Sequence, residues 1–329
     1  MNILITGVHG FVGSNLVKHL SPDNTIYGLD IVAPEKEGVA RTFSWDDLES
    51  PDFPEIDAVI HLAGKAHDTR NKSAADVYFK VNTGLTQRIF DWFLARPKAS
   101  RFIFFSTVKS AADYVPGDIL TEDCVPTPVG PYGESKIKAE NYIIEHFAPE
   151  AMSRPFHNFD DSDSIVPGKK VYIMRPCMIH GPGNKGNLNL LYGVVKKGIP
   201  WPLGAFENRR SFTSIGNLCV VIDGLLTKST PSGIYHMGDD EALSTNELIA
   251  VICKAMGKKA HIWRLPKGLM NGVAKVGGWL HLPLNPLRMQ KLTENDVVSN
   301  AKIKAALGID RMPVRARDGL METIRSFEQ

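Results

Sequence analysis

Residues 2–13 read NILITGVHGFVG, and this stretch sets the expected fold. Asn2–Thr6 has the length and apolar character of a buried strand, and Gly7, Gly10 and Gly13 follow at intervals of three. Between a strand and a helix, such glycines allow, in turn, a tight turn, the approach of a pyrophosphate and close packing of the helix on the strand. Free N–H groups at the start of the helix favour a phosphate. The stretch therefore predicts a dinucleotide-binding turn.

The alternation of strand and helix continues through the first half of the chain. Further strands are predicted at Thr25–Asp30, Arg41–Trp45, Ala58–Ala63, Arg101–Ser106 and Val171–Met174. Apolar residues recur at helical spacing in Phe11–Leu20, Val77–Phe93 and Tyr132–Phe147. Apolar strands that alternate with amphipathic helices predict a doubly wound, parallel α/β (Rossmann) sheet. We expect residues 1–175 to form this domain.

The pattern changes after Pro176. Proline and glycine are dense from Gly181 to Gly204, a capping box starts a helix at Ser244, and a short helix is predicted at Asn300–Leu307. Residues 176–329 are therefore predicted to form mainly a smaller α/β domain that binds substrate, with some segments returning to the first sheet. The polar segment 148–170 is predicted to be an exposed loop.

Length, composition and charge exclude several classes of protein. A chain of 329 residues with 43% apolar and 22% charged residues is typical of one large or two ordinary globular domains. A net charge of only +2 argues against binding of nucleic acid by bulk charge. Four widely separated cysteines indicate reduced thiols and no metal site. We see no secretory signal and no apolar run long enough to cross a bilayer, so we expect a cytoplasmic protein without membrane insertion.

Asp30 ends the second predicted strand, 17 residues after Gly13. A carboxylate at this position accepts hydrogen bonds from both hydroxyls of an adenosine ribose and repels a 2′-phosphate. This favours NAD over NADP. Lys36 is the basic side chain that could attract such a phosphate instead.

A phenol and an ammonium lie four residues apart in Tyr132-Gly133-Glu134-Ser135-Lys136, on one helix face. The same spacing occurs between Tyr192 and Lys196, so spacing alone does not identify a site. Position distinguishes the two pairs, because the first follows the strand that ends in Ser106-Thr107, and ligands bind outside the carboxyl ends of such strands. We assign the second pair to an ordinary helix.

Taken in order, these motifs resemble those of the extended short-chain dehydrogenases/reductases. The matching segments are Thr6-Gly7-x-x-Gly10-Phe11-x-Gly13, Asp30, His61-Leu62-Ala63-Gly64, Ser106-Thr107, Tyr132-x-x-x-Lys136 and Arg175-Pro176. The second half is similar to the nucleotide-sugar-binding part of the NAD-dependent epimerase/dehydratase family, in Gly181-Pro182-Gly183, Gly186-Asn187-Leu188, Pro202-Leu203-Gly204 and Arg209-Arg210-Ser211-Phe212. Within the family the chain most resembles UDP-glucose 4-epimerase-like proteins and the 4-ketoreductases that make UDP-N-acetylquinovosamine. His180 and Ser110 depart from the family pattern, which usually has Tyr and Val there.

The resemblance implies roles for individual residues. Tyr132 would exchange a proton with a sugar hydroxyl, Thr107 would hydrogen-bond the sugar oxygen and the phenol, and Lys136 would hold the nicotinamide ribose and lower the pKa of the phenol. NAD would contact Gly7, His9, Gly10, Phe11, Val12, Gly13, Asp30, Asp47 (with Asp46 as the alternative), Leu48, Leu62, Ala63, Gly64, Lys65, Asn82, Tyr132, Lys136 and Pro176. The nucleotide sugar would contact Thr107, Asn187, Leu188, Leu203, Arg210, which would pair with a phosphate, and Arg288. The family also implies a homodimer.

The sequence leaves more than one function open. The first is an NAD-dependent 4-epimerase of a UDP-sugar, which oxidises C4 transiently, and Asp30 favours it. The second is a 4-ketoreductase of a UDP-4-keto-6-deoxyhexosamine, which the likeness of the second half favours. A dehydratase needs an acidic residue beside Thr107, which is followed by Val108-Lys109. A regulator without catalysis is expected to lack the Tyr132–Lys136 pair, which is present.

Overall fold

The six predicted strands all lie in one large sheet, which a seventh strand, not predicted from the sequence, completes. In chain order the strands are β1 (Asn2–Thr6), β2 (Thr25–Leu29), β3 (Arg41–Phe43), β4 (Ala58–His61), β5 (Arg101–Phe105), β6 (Lys170–Pro176), β7 (Met178–His180), β8 (Phe212–Ser214) and β9 (Gly233–Met237). Seven of them pair, all in parallel, in the order β3-β2-β1-β4-β5-β6-β9, and β7 pairs with β8. This confirms the doubly wound α/β sheet. The strand order reverses between β1 and β4, where a ligand crevice is expected outside the carboxyl ends.

The computed structural model describes residues 1–65, 74–115, 117–184, 186–279 and 285–328, without the side chains of Asn187, Leu287 and Arg288. Its helices are α1 (Phe11–Leu20), α2 (Ala75–Tyr78), α3 (Leu85–Ala95), α4 (Val108–Ala111), α5 (Gly130–Phe147), α6 (Asn187–Lys196), α7 (Ile215–Thr227), α8 (Thr245–Ala255), α9 (Lys267–Trp279), α10 (Pro286–Thr293), α11 (Ala301–Leu307) and α12 (Ala316–Arg325). Within these ranges, no helix combines the length and the apolar character that a membrane crossing needs.

Helices cover both faces of the large sheet. Successive residues of β1 alternate between two apolar clusters, as the period of two in a strand requires. Ile3 and Ile5 lie in the cluster that α1 and α7 cover, whereas Leu4 lies in the cluster that α3 and α5 cover. The side chains of β1 are therefore buried on both sides, and the ends of the strands are left to carry the site.

The second half of the chain builds a smaller unit and also completes the sheet. Helices α6, α8 and α12 enclose a third apolar cluster with Trp201 and Leu203. Strand β9 returns to the edge of the large sheet beside β6. The smaller unit thereby follows directly from the carboxyl end of β6, next to the crevice.

Two segments differ from the sequence-based prediction. The helix predicted over Val77–Phe93 is interrupted by a π-helical turn at Phe79–Gly84. Segment 148–170 is more than a loop, because it holds two short 3-10 turns and Asp161 accepts a hydrogen bond from the N–H of Ser232 (3.0 Å). That bond anchors the segment to the chain just before β9.

Candidate active site

The glycine turn after β1 has the shape that the sequence predicts. Gly7 has a φ of +69°, and its N–H donates to the carbonyl of Leu29 (2.9 Å). A Cβ atom on Gly13 would lie 2.5 Å from the carbonyl oxygen of Gly7, so only glycine lets α1 pack this closely on the turn. Phe11 and Val12 follow at the N-terminus of α1, where unpaired N–H groups favour an anion. The turn therefore fits a pyrophosphate.

Asp30 is held directly after β2 by two main-chain groups. The N–H of His9 donates to Oδ2 (3.2 Å), and the N–H of Ile31 donates to Oδ1 (2.8 Å). Both oxygens keep a lone pair for a ribose hydroxyl. The ammonium of Lys36 donates to Oγ of Ser14, in the first turn of α1 (2.8 Å). The carboxylate and the glycine turn are thus joined through His9.

The side-chain amide of Asn82, in the π-helical turn, connects the segment after β4 to α5. Asn82 is buried, its Oδ1 accepts from the N–H of Lys65 (2.7 Å), and its Nδ2 donates to Oγ of Ser135 (2.9 Å). A Cβ atom on Gly64 would lie 3.2 Å from Nζ of Lys136. The structure therefore brings these predicted cofactor residues together. Three further predicted cofactor residues lie at the carboxyl ends of β4 and β6, namely Leu62, Ala63 and Pro176.

His61, the polar side chain of β4, is buried and neutral. Burial lowers the pKa of His61 well below its usual range. The hydroxyl of Thr86 donates to the carbonyl of Asn82 (2.6 Å), so it accepts from Nε2–H of His61 (2.9 Å). Nδ1 then accepts from the hydroxyl of Thr6 (2.7 Å). His61 therefore links β1 to α3, and its ring proton is used in the hydrogen bond to Thr86.

Asp47 and Leu48 make structural hydrogen bonds in the short 3-10 turn that follows β3. The carboxylate of Asp47 accepts from both the N–H and the hydroxyl of Ser44 (2.8 Å each), and these bonds lower the pKa of Asp47. Leu48 is fully buried, and its carbonyl accepts from the indole of Trp92 (2.9 Å). The Leu48 side chain is therefore closed to a ligand. Asp47 and the exposed Asp46 remain the candidates beside an adenine.

The three predicted catalytic side chains meet at the carboxyl end of β5. Thr107 caps α4, where its hydroxyl oxygen accepts from the N–H of Lys109 (3.3 Å). Thr107 also hydrogen-bonds the phenol of Tyr132, which lies in the first turn of α5. One turn further along α5, the buried ammonium of Lys136 donates to the carbonyl of Phe105 (2.7 Å). The tertiary fold thus gathers Thr, Tyr and Lys around one strand end.

Burial controls the protonation of this group. Burial raises the pKa of Tyr132, and the hydrogen bond from Thr107 opposes the shift. The resemblance implies that Lys136, together with the positive ring of bound NAD, lowers this pKa, and that stays a prediction. Burial also lowers the pKa of Lys136 to about 8, against the opposing charge of Glu140. At neutral pH the ammonium of Lys136 is therefore mostly protonated.

A buried carboxylate behind this group escaped the sequence analysis. Glu140 on α5 is 0% exposed, and its partner Arg175 of β6 is 1% exposed. The carboxylate accepts from Nη2 (2.5 Å) and Nε (3.1 Å) of Arg175, and from the hydroxyls of Ser110 (2.5 Å) and Ser106. The two serines flank Thr107, so the ion pair braces the strand end that presents it. Ser110, noted as a departure from the family pattern, was the available signal.

Arg210 lies close to α4, because both it and Lys109 of α4 contact Asp296, a residue that the sequence analysis did not identify. Nη2 of Arg210 is 3.4 Å from Oδ2 of Asp296, and Nζ of Lys109 is 3.6 Å from the same oxygen. Arg210 also donates to the carbonyl of Lys291 (2.6 Å). Because Lys109 lies two residues after Thr107, these contacts place Arg210 on the same side of the molecule as Thr107.

The remaining predicted substrate residues belong to the smaller unit. Leu188 and Leu203 are 0% and 2% exposed in the third apolar cluster, so their side chains support this unit and only their main chain can meet a ligand. Asn187 begins α6. The side chains of Asn187 and Arg288 lie outside the described residues.

Two other polar candidates make structural contacts in the smaller unit. Tyr192 packs edge-on against Phe327, with ring centroids 5.3 Å apart, and Nζ of Lys196 lies 5.6 Å from the Tyr192 ring. His180 is fully buried, and its Nδ1 hydrogen-bonds the hydroxyl of Thr323 (2.9 Å). These contacts give both residues a packing role.

Known proteins resemble this chain along most of its length. The model of the NAD-dependent epimerase/dehydratase family matches residues 3–238. A UDP-glucose 4-epimerase of Vibrio cholerae is 30% identical over 277 residues, which is 80% of this chain and 78% of that protein. An N-acetyl-alpha-D-glucosaminyl-diphospho-ditrans,octacis-undecaprenol 4-epimerase of Escherichia coli O157:H7 is 26% identical over 281 residues, 82% of this chain and 78% of that protein. The structure of a UDP-glucuronic acid 4-epimerase from Bacillus cereus in complex with NAD has a TM-score of 0.70 and 20% identity, over 100% of this chain and 99% of that chain.

Proposed function

The chain belongs to the NAD-dependent epimerase/dehydratase family, and we propose that within it the protein is a 4-epimerase of a UDP-hexose or UDP-N-acetylhexosamine. The observation that supports this most directly is the hydrogen bond between Thr107 and Tyr132 beside the buried ammonium of Lys136. The relatives described above are named as 4-epimerases, two of them of UDP-sugars.

NAD fits the residues at the carboxyl ends of β1 and β2. The Gly7–Gly13 turn suits a pyrophosphate, because Gly10 has no side chain to keep the phosphates away from the main chain and the N-terminus of α1 offers N–H groups. Asp30 would accept from the adenosine ribose. Lys136 uses one of its three N–H groups on the carbonyl of Phe105 and keeps two for the nicotinamide ribose. When bound, NAD supplies a hydride acceptor and, after reduction, a hydride donor for C4 of the sugar.

Tyr132 is the group that handles the proton of the 4-hydroxyl. In the oxidative half of the reaction the phenolate takes this proton, and in the reductive half the phenol returns it to the sugar oxygen. The hydrogen bond from Thr107 favours the phenolate against the effect of burial, and the positive charges of Lys136 and of bound NAD would act in the same direction. Because the same side chain takes and returns the proton, one epimerisation leaves the enzyme in its starting state.

Arg210 supports a nucleoside diphosphate as the carrier of the sugar. Two directions of its guanidinium are used, by the carbonyl of Lys291 and by Asp296, and the remaining N–H groups suit phosphate oxygens. The finer choice of a uridine nucleotide rests on the similarity to UDP-sugar 4-epimerases. The 4-ketoreductase is the alternative, because it would use Thr107, Tyr132 and Lys136 in the same way for a single reduction.

The Tyr132→Phe substitution tests the assignment. It keeps the ring and removes the proton donor, so we expect a loss of at least about 100-fold in kcat for a UDP-sugar, the usual contribution of a placed acid/base. Binding of NAD, measured by calorimetry, should be unchanged. Tyr192→Phe is the matched control, because this phenol follows the same spacing but packs in the smaller unit. Near-normal turnover of Tyr132→Phe would remove the phenol from the mechanism.

A further inference from the structure

Helix α9 has a wider apolar face than its packing covers. The row that packs on the smaller unit is buried and consists of Met270, Ala274 and Gly277. A second row, one residue earlier at each step, is 55%, 47% and 54% exposed and consists of Leu269, Val273 and Val276. At about 3.6 residues per turn the two rows run side by side along the helix. The fold therefore leaves half of this apolar face in water.

Two tryptophans are exposed in the same part of the chain. Trp279, the last residue of α9, is 80% exposed, and Trp263, four residues before α9, is 54% exposed. Tryptophan combines a large apolar ring with an N–H donor, and it is enriched where proteins meet the headgroup region of a bilayer. This segment thus exposes the residue types of an interfacial helix.

The segment also concentrates the positive charge of the protein. Residues 254–293 contain eight Lys and Arg and no Asp or Glu, although the whole chain has a net charge of only +2. The other residues therefore carry 30 basic and 36 acidic side chains, a net charge of −6. The exposed cations nearest in sequence to the apolar row are Lys258, Lys259, Arg264, Lys267 and Lys275.

We propose that the α9 surface, defined as Lys258–Trp279, docks on an anionic phospholipid bilayer. The exposed row of α9 and Trp279 enter the headgroup region, and the lysines lie against lipid phosphates. Docking at this depth needs no membrane-crossing helix. It holds the enzyme at the membrane without adding a residue to the catalytic group.

Charge complementarity selects the bilayer over a second copy of this chain. A symmetric contact through the α9 surface would bring two segments of charge +5 together, and like charges repel. The cores of protein interfaces are also depleted in lysine. An anionic bilayer supplies what the surface lacks, an apolar interior for the exposed row and negative charge for the lysines.

Vesicle sedimentation of the full chain tests the proposal. We expect binding to phosphatidylglycerol vesicles, little binding to phosphatidylcholine vesicles, and release as salt is raised, because salt screens the attraction. The double variant Val276→Ser/Trp279→Ser should partition at least about tenfold more weakly, since it removes apolar area that leaves water on docking. Ile165→Ser is the control, an exposed apolar side chain (61%) outside the α9 surface.

A second variant tests the positive charge separately from the apolar row. Lys259→Gln/Lys275→Gln changes only exposed side chains, and we expect binding about 25-fold weaker, about fivefold for each lysine. A wild-type protein that ignores phosphatidylglycerol vesicles, or variants that bind as well as the wild type at an unchanged melting temperature, would overturn the proposal. It would also fail if the wild type elutes as a dimer that Val276→Ser/Trp279→Ser converts to a monomer, because a second copy would then cover the surface.

Discussion

Replacing Glu140 by glutamine removes the charge that balances a fully buried guanidinium. Glu140 and Arg175 are 0% and 1% exposed, with Oε2 and Nη2 2.5 Å apart. Breaking such a buried pair on one side costs about 3–5 kcal/mol, because the remaining charge has no partner. An unfolding entropy of about 2.1 cal/mol/K per residue gives about 0.7 kcal/mol/K for 329 residues. The melting temperature of Glu140→Gln should therefore fall by about 4–7 °C.

Calorimetric unfolding at pH 7 measures this shift. Glu145→Gln is the matched control, because Glu145 lies on the same helix α5 but is exposed, and its effect should stay within about 0.5 kcal/mol. The double variant Glu140→Leu/Arg175→Met should lose less stability than Glu140→Gln, since it leaves no charge buried. If Glu140→Gln melts within about 1 °C of the wild type, the substitution does not leave a buried, uncompensated charge on Arg175, and the reasoning is wrong.

Two further outcomes test the substrate side and the charge of Lys136. Arg210→Ala should raise the KM for a UDP-sugar about 10- to 150-fold, because it loses a charge-assisted phosphate contact worth about 1.5–3 kcal/mol. Arg209→Ala, the control at the exposed neighbouring residue, should leave the KM unchanged. If both variants bind UDP equally well in a titration, the phosphate site lies elsewhere. Burial lowers the pKa of Lys136 from 10.5 to about 8, so turnover should fall as pH rises through 8. The fall should begin at lower pH in Glu140→Gln, because this variant lacks the negative charge that stabilises the ammonium. A flat pH profile of turnover from pH 7 to 10 would contradict this prediction. Between pH 8 and 10.5 the unfolded chain binds more proton at this lysine, so its contribution to stability should become more favourable as pH rises.

The sequence predicts local features of the site well, because local spacing determines them. The turn around Gly7 and Gly13 follows from strand, glycine and helix within a few residues. Asp30 ends the next strand of the sheet, so its place beside that turn follows from parallel pairing. The group around Tyr132 is predictable because the order of strands brings α5 to the end of β5.

Features made by tertiary contact are hidden from sequence analysis. Glu140 and Arg175 are 35 residues apart, and Arg210 and Asp296 are 86 apart, so no local pattern marks either pair. Leu48 and Leu203 occupy motif positions, yet packing closes their side chains to a ligand. The direction of the pKa shift at Tyr132 depends on burial, which only the folded environment defines.

Retention of the cofactor separates a 4-epimerase from a 4-ketoreductase. An epimerase has to return the hydride that it takes within one turnover, and it has no reason to release NAD, whereas a reductase exchanges its oxidised cofactor every cycle. The decisive measurement is the nucleotide released when purified protein is denatured, together with conversion of a UDP-hexose in the absence of added reductant. We predict NAD(H) at a substantial fraction of one per chain and conversion without reductant. Protein that is purified empty and oxidises added NADPH with a 4-keto sugar would contradict the proposed epimerase and the preference for NAD that Asp30 implies.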